Sequence, residues 1–285
     1  NASRLPSRAA ENLTWLGRYV ERAEDTVRVL RAYHARLAET GDPDLPLLEF
    51  VRAYMEPLGI EMNVGVPTGL ISTIDSAVYS ASQIRDRFSP DGWLALKDLS
   101  KTLHQFAGSV EPGDDATRAM TVILRKIAGF SGLLHENMYR FTGWRFLEIG
   151  RRLERGIQIA GMLGDVVRED APDGSLDLML EIGDSVMTHR RQYPVAATPR
   201  TVIDLLALDA LNPRSVLFQL ARLKQEIEHL PNPAHPSLSV AAKEVMRLHT
   251  DLAIREAEDL DAGALFAIAA DIAGLYERVA QTYLG

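Results

Sequence analysis

The sequence of 285 residues is 46% hydrophobic and 25% charged, a balance that supports a large buried core and excludes disorder as the main state. A formal charge of -8 at pH 7 argues against nucleic acid or anionic membrane as a partner. The lack of cysteine excludes disulfides, thiolate metal sites, iron-sulfur clusters and a cysteine nucleophile. No apolar run approaches the roughly 20 residues that span a bilayer, and no signal-peptide pattern opens the chain, so a cytoplasmic protein is expected.

Asn1-Ala2 is expected to be a tag remnant or the cut edge of a longer polypeptide, leaving 3–285 as a single helical domain. Strand signals are nearly absent, and helical periodicity runs almost throughout. The first helix is predicted from after Pro6-Ser7 to about Thr40, stopped by Gly41-Asp42-Pro43. Helices at Leu47 to Met55 and Leu70 to Phe88 follow, separated by an irregular stretch from Pro57 to Gly69. Ser89-Pro90-Asp91 opens a helix ending near Ala107-Gly108. Another runs from Asp114 or Asp115 to about Tyr139, and Gly143 leads into one ending near Ala171-Pro172. Further starts are read at Ser175, Thr198-Pro199, Asn212-Pro213 and Ser237, beyond the Pro231 to Pro236 break, with a last helix after Asp261. The expected fold is all-α, a multi-helix bundle of about ten or eleven helices.

Inside the first and sixth of these helices stands the same word, Gly-Arg-x-x-Glu-Arg, at Gly17 to Arg22 and at Gly150 to Arg155, each preceded by a tryptophan. The first Arg, the Glu and the second Arg fall at i, i+3 and i+4 and so project from one helix face. Around the first copy, Trp15, Leu16, Tyr19, Val20, Val27, Leu30, Tyr33 and Leu37 fill an apolar arc of roughly 140°, which places Arg18, Glu21, Asp25 and Arg28 on an opposite face expected to be solvated. The second copy lies on a helix that is apolar over much of its circumference, so its Arg151, Glu154, Arg155 and Gln158 are expected to form an internal polar stripe. Charges buried there need partners, since an unpaired one costs several kcal/mol. These residues, Arg18, Glu21, Arg22, Arg151, Glu154 and Arg155, are the candidate polar or binding site.

Arg214 joins them as a candidate, because it follows Asn212-Pro213 at a helix start, where free N–H groups and the helix dipole favour an anion. The row Ser72, Ser76 and Ser80, leading to Gln83, Arg85 and Arg87, reads as close helix packing or a polar groove. Glu226-x-x-His229 has the spacing used by di-iron bundles, but no second such pair exists, and His135-Glu136 lacks the second histidine of a zincin, so no metal is expected. No phosphate loop, dinucleotide fingerprint or nucleophile elbow is present.

Ser7 to Leu13 running into Trp15 to Glu24, together with Gly143 to Arg155, closely resembles the alpha-E family, named for its helical content and its Glu-Arg motif. Ile84-Arg85-Asp86-Arg87 before Trp93, and Asn212-Pro213-Arg214-Ser215-Val216-Leu217-Phe218, extend the resemblance over nearly the whole chain. Gly156 departs from it, standing where the family usually has alanine.

The resemblance implies an all-helical bacterial protein that occurs beside, or fused behind, a circularly permuted ATP-grasp ligase. A transglutaminase-like protease is often its neighbour too. It implies a non-catalytic partner or substrate-binding module of an amide- or peptide-bond ligase system, with a peptide ligand and with ATP and magnesium held only by the ligase. Two alternatives stand beside it: an enzyme with Glu21 or Glu154 as acid or base and arginines holding carboxylates, and a structural assembly module.

Overall fold

The computed structural model describes residues 5–232 and 237–285, so Asn1-Ala2 and most of the Pro231 to Pro236 break lie outside the described residues. Among those described there are twelve α-helices and no strand. They fall into two compact units, Trp15–Arg140 and Asn1–Thr14 with Phe141–Gly285.

The unit Trp15–Arg140 holds most of α1 (Ser7–Thr40) together with α2 (Pro46–Met55), α3 (Thr68–Ser82), α4 (Pro90–Phe106) and α5 (Asp114–Asn137). Gly41, at φ +68, ends α1 in a left-handed conformation that glycine adopts without strain. Ser89 caps α4, its Oγ accepting from the Asp91 N–H at 3.1 Å, with Pro90 in the first turn. α4 packs on α3 and on α5. The stretch expected to be irregular, Pro57 to Gly69, is so as far as Pro67 apart from a single 3-10 turn at Glu56–Leu58, with Thr68 and Gly69 already in α3, yet it is a packed part of the fold. Met62 and Val66 are buried, and Gly65 lies so close to the Val110 carbonyl that a Cβ has no room. His34, on α1, is fully buried and accepts from the Gly113 N–H through Nδ1 at 3.1 Å. Burial lowers its pKa to about 4, an effect the neighbouring Val64 backbone opposes only in part, and its Nε2 completes no regular hydrogen bond. The ring is therefore neutral at pH 7.

The other unit holds α6 (Thr142–Val166), α7 (Ser175–Ile182), α8 (Val186–Gln192), α9 (Pro199–Ile203), α10 (Val216–Glu228), α11 (Val240–Ala253) and α12 (Ala262–Tyr283). α6 packs along both α10 and α12, and α11 bridges those two. The wide apolar circumference of α6 accounts for this position: Phe146, Ile149, Leu153, Ala160 and Leu163 are all buried. Thr198 and Thr201 exchange side-chain and backbone hydrogen bonds in a capping box at the start of α9, and Asp261 caps α12 through the Ala264 N–H at 2.8 Å.

Several boundaries differ from the sequence reading. α3 ends at Ser82, with a short 3-10 turn at Arg85–Arg87, and α6 ends at Val166 rather than near Ala171. α8 has no counterpart in the sequence reading, and it starts after Ser185 without a side-chain cap. α9 continues as a π-helical turn, Asp204–Leu208. α10 begins at Val216 with Ser215 as its cap, three residues beyond Pro213, since Asn212 to Arg214 form an Asx turn instead. α11 takes Ser239, not Ser237, as its cap.

Candidate functional site

In the second word, α6 carries a row of charges one turn longer than the sequence reading assigned. Glu148 sits three residues before Arg151 and four before Arg152, so all three share a face. The Glu148 carboxylate accepts from Arg151 Nη1 at 2.6 Å and meets Arg152 Nε at 3.4 Å. All three side chains are largely removed from water, Glu148 most of all, with 6% of its surface exposed. Burial alone would raise the Glu148 carboxyl, but the two guanidiniums together outweigh it and hold its pKa below the ordinary value. A carboxylate held in this way is a poor proton acceptor, which suits it to structure rather than to general-base work.

The network continues onto α10. Arg152 Nη1 donates to Gln219 Oε1 at 3.0 Å, and its guanidinium lies 5.6 Å from the Phe218 ring centroid. Gln219 is fully buried, and its Nε2 donates to the carbonyls of Pro213 at 2.7 Å and Ser215 at 2.9 Å. One amide thus joins Arg152 to the turn that precedes α10. Arg155 Nη1 donates to the same Pro213 carbonyl at 3.3 Å. Glu154, 4% exposed, accepts from Gln158 Nε2 at 3.2 Å. Further along, Arg145 pairs with the buried Glu226 at 2.8 Å. The internal polar stripe expected for the second copy is therefore present, and it rests on α10.

Arg214 lies in the turn that Arg155 and Gln219 hold. Its N–H donates to Asn212 Oδ1 at 3.1 Å, and the Phe218 N–H donates to Ser215 Oγ at 3.0 Å. Two of the donors that an anion would use at this helix start are thus taken by the protein's own oxygens.

The first word lies in the other unit and is built differently. Arg18 stacks on Trp15 with its guanidinium carbon 4.5 Å from the ring centroid, and Arg22 lies 5.8 Å from both the Trp15 and Tyr19 rings. The two rings are 5.2 Å apart. Trp15 stands three residues before Arg18, the slot that Glu148 fills before Arg151, so one copy seats its first arginine on an indole and the other on a carboxylate. The solvated face expected for this copy is not found: Glu21 is 4% exposed and Glu24 7%, with Arg18 and Arg28 half-buried. Periodicity locates the apolar side of α1 but does not report that its charged side is covered as well.

Glu148, Arg152, Gln219 and Arg145 are not singled out by the sequence, and Glu226 stands out there only through its Glu-x-x-His spacing. For Glu148 the signal was local, an acid three and four residues before two arginines. For Gln219 it was a polar residue among Val216, Leu217, Leu220 and Leu223. Glu226 is occupied by Arg145, while His229 Nδ1 lies 2.7 Å from the Gln225 carbonyl. Among the described residues no group of three or more His, Asp or Glu side chains could hold a metal ion, and no helix is long and apolar enough to cross a membrane.

A family model, Alpha-E, described as a predicted alpha-helical domain with a conserved ER motif, matches residues 5–284. Uncharacterized protein Rv2567 of Mycobacterium tuberculosis and uncharacterized protein Mb2597 of Mycobacterium bovis are each 24% identical, over 94% of this chain and 34% of their own length. The chain thus spans about a third of the curated relatives it matches. No solved structure matches it.

Proposed function

The chain belongs to the Alpha-E family, and on that premise we propose that it is a non-catalytic helical module of a circularly permuted ATP-grasp amide or peptide ligase system, binding the ligase, its peptide substrate or both. One observation carries the non-catalytic part. In the family's Glu-Arg word both glutamates are buried and every arginine is at least half-buried, and in its second copy the arginines are tied to Glu148, Gln219 and the Pro213 carbonyl. Charges committed in this way hold helices together, and moving protons through them would leave buried partners uncompensated. The lengths of the relatives agree with a module within larger polypeptides. On this reading ATP and magnesium are held by the ligase, a transglutaminase-like protease belongs to the same system, and the setting is the bacterial cytoplasm.

Co-expression with a circularly permuted ATP-grasp ligase from the same organism tests the proposal. A complex that survives gel filtration at micromolar concentration is expected, together with ATP-dependent peptide modification that changes when this chain is left out. Separate elution, with modification indifferent to the chain, would overturn it.

A further inference from the structure

The unit Trp15–Arg140 contains an open cleft of about 840 Å³, a size that admits a short peptide or small molecule. It is bounded by residues from the C-terminal part of α1, the α1–α2 connection, α2 and the irregular stretch after it. Its walls are apolar where Leu37, Ile60, Met62 and Pro112 line it. Besides the Asn63 amide and the Tyr33 hydroxyl, its charged groups are of two kinds. One is a single guanidinium, Arg52, and the other is a set of three exposed carboxylates, Asp44, Glu56 and Glu61.

Arg52 is anchored from one side. Its Nη1 donates to the Tyr33 hydroxyl at 2.9 Å and to the Pro43 carbonyl, and both of its hydrogen bonds run through that nitrogen. Tyr33 is itself 2% exposed, so the anchor is fixed by the core. Nε and Nη2 remain as a pair of parallel donors on a side chain that lines the cleft. That fork matches the two oxygens of a carboxylate, and anchoring it beforehand reduces the entropy lost on binding. Asp44, with Glu49 outside the cleft, acts on Arg52 through space, and the three carboxylates offer acceptors for an ammonium group on the same ligand.

We propose that this cleft binds a short zwitterionic peptide, its C-terminal carboxylate on Arg52, its amino group among Asp44, Glu56 and Glu61, and an apolar side chain against Ile60 and Met62. The inference rests on the substrate-binding half of the reading above and gives it a place in the chain. It involves neither Glu-Arg word.

The test is calorimetric titration of the full chain with the tripeptide Ala-Leu-Ala, its C-terminal amide and its N-acetyl form. Saturable binding of the free tripeptide at millimolar concentration or tighter is expected. The amide should bind at least tenfold more weakly and the acetylated form severalfold more weakly. Arg52→Gln should weaken the free tripeptide tenfold yet leave the weak binding of the amide unchanged. Glu61→Gln, an exposed change that the fold tolerates, should weaken the free tripeptide but not the acetylated one. Equal binding of acid and amide to the unaltered chain, or no saturation, would overturn the proposal even if Arg52→Gln failed to fold. A failure here would leave capture of the ligase intact, so the two readings fall separately.

Discussion

Glu148→Gln separates an internal ion network from a surface ladder of charges. If Glu148, Arg151 and Arg152 were solvated, two helical pairs would be lost at about 0.3–0.5 kcal/mol each. The geometry places the carboxylate at 7% side-chain exposure between guanidiniums at 15% and 13%. Removing one partner from a buried pair costs about 3–5 kcal/mol, because the remaining charge stays desolvated. Arg152 keeps Gln219 and the Phe218 ring, and the new amide keeps one acceptor oxygen, so a loss near the lower end, about 3 kcal/mol, is expected. Urea unfolding at pH 7 followed by far-ultraviolet circular dichroism gives the difference, with hydrogen exchange of α6 amides localising it. The pH dependence adds a second reading. The Glu148 pKa is depressed in the folded state, so its contribution is complete above the ordinary value of 4.5 and is lost as pH falls through the lower native value. The gap between the two proteins should therefore hold steady from pH 8 to 5 and narrow only below that range. A loss under about 0.5 kcal/mol at pH 7 would refute the burial argument.

Two further predictions follow from the packing. His34 is protonated near 6.5 when unfolded but only at about 4 when folded, so stability should fall as pH drops from 6.5 to 4, by an amount on the order of 3 kcal/mol, and the group should contribute no slope above 6.5. His34→Gln should flatten that decline, and an unchanged slope would remove His34 as its source. Gly156→Ala would bring a methyl 3.2 Å from Ile272 Cδ1, a contact that a small movement of that side-chain tip relieves. The gain in helix propensity, up to about 1 kcal/mol, should then leave a net stabilisation of about 0.5 kcal/mol in the same urea assay. A loss above 1 kcal/mol would mean the α6–α12 seam cannot yield.

What could be read from the sequence was what local chemistry decides. Ser89-Pro90, Thr198-Pro199 and Asp261 are helix starts because their side chains satisfy free backbone donors, and each stands where it was expected. α8 opens without such a cap: the Ser185 hydroxyl donates to the Gly183 carbonyl, and its Oγ accepts from Asn212 Nδ2 rather than from a backbone N–H. Pro213 misled because Asn212 folds the chain into a turn, leaving the cap to Ser215. The candidate site followed the same division. The repeated word and the interior stripe of α6 were visible as periodicity. Arg145 and Glu226, 81 residues apart, and Tyr33 and Arg52, 19 apart, meet only through tertiary packing that no spacing announces. Burial of Glu21 was missed because a charged helix face looks the same in sequence whether water or protein covers it.

The central claim is that the Glu-Arg word is scaffolding within a binding module, with the chemistry carried by the ligase. Its most direct test is ATP-dependent peptide ligation assayed with the ligase alone, with this chain alone, and with both, using the unaltered chain and Glu154→Gln, each checked for its fold by circular dichroism. The account predicts no turnover by the chain alone, and an effect on the ligase that a folded Glu154→Gln chain retains. Formation or cleavage of amide bonds by the chain alone, abolished by Glu154→Gln in a protein that remains folded, would contradict it.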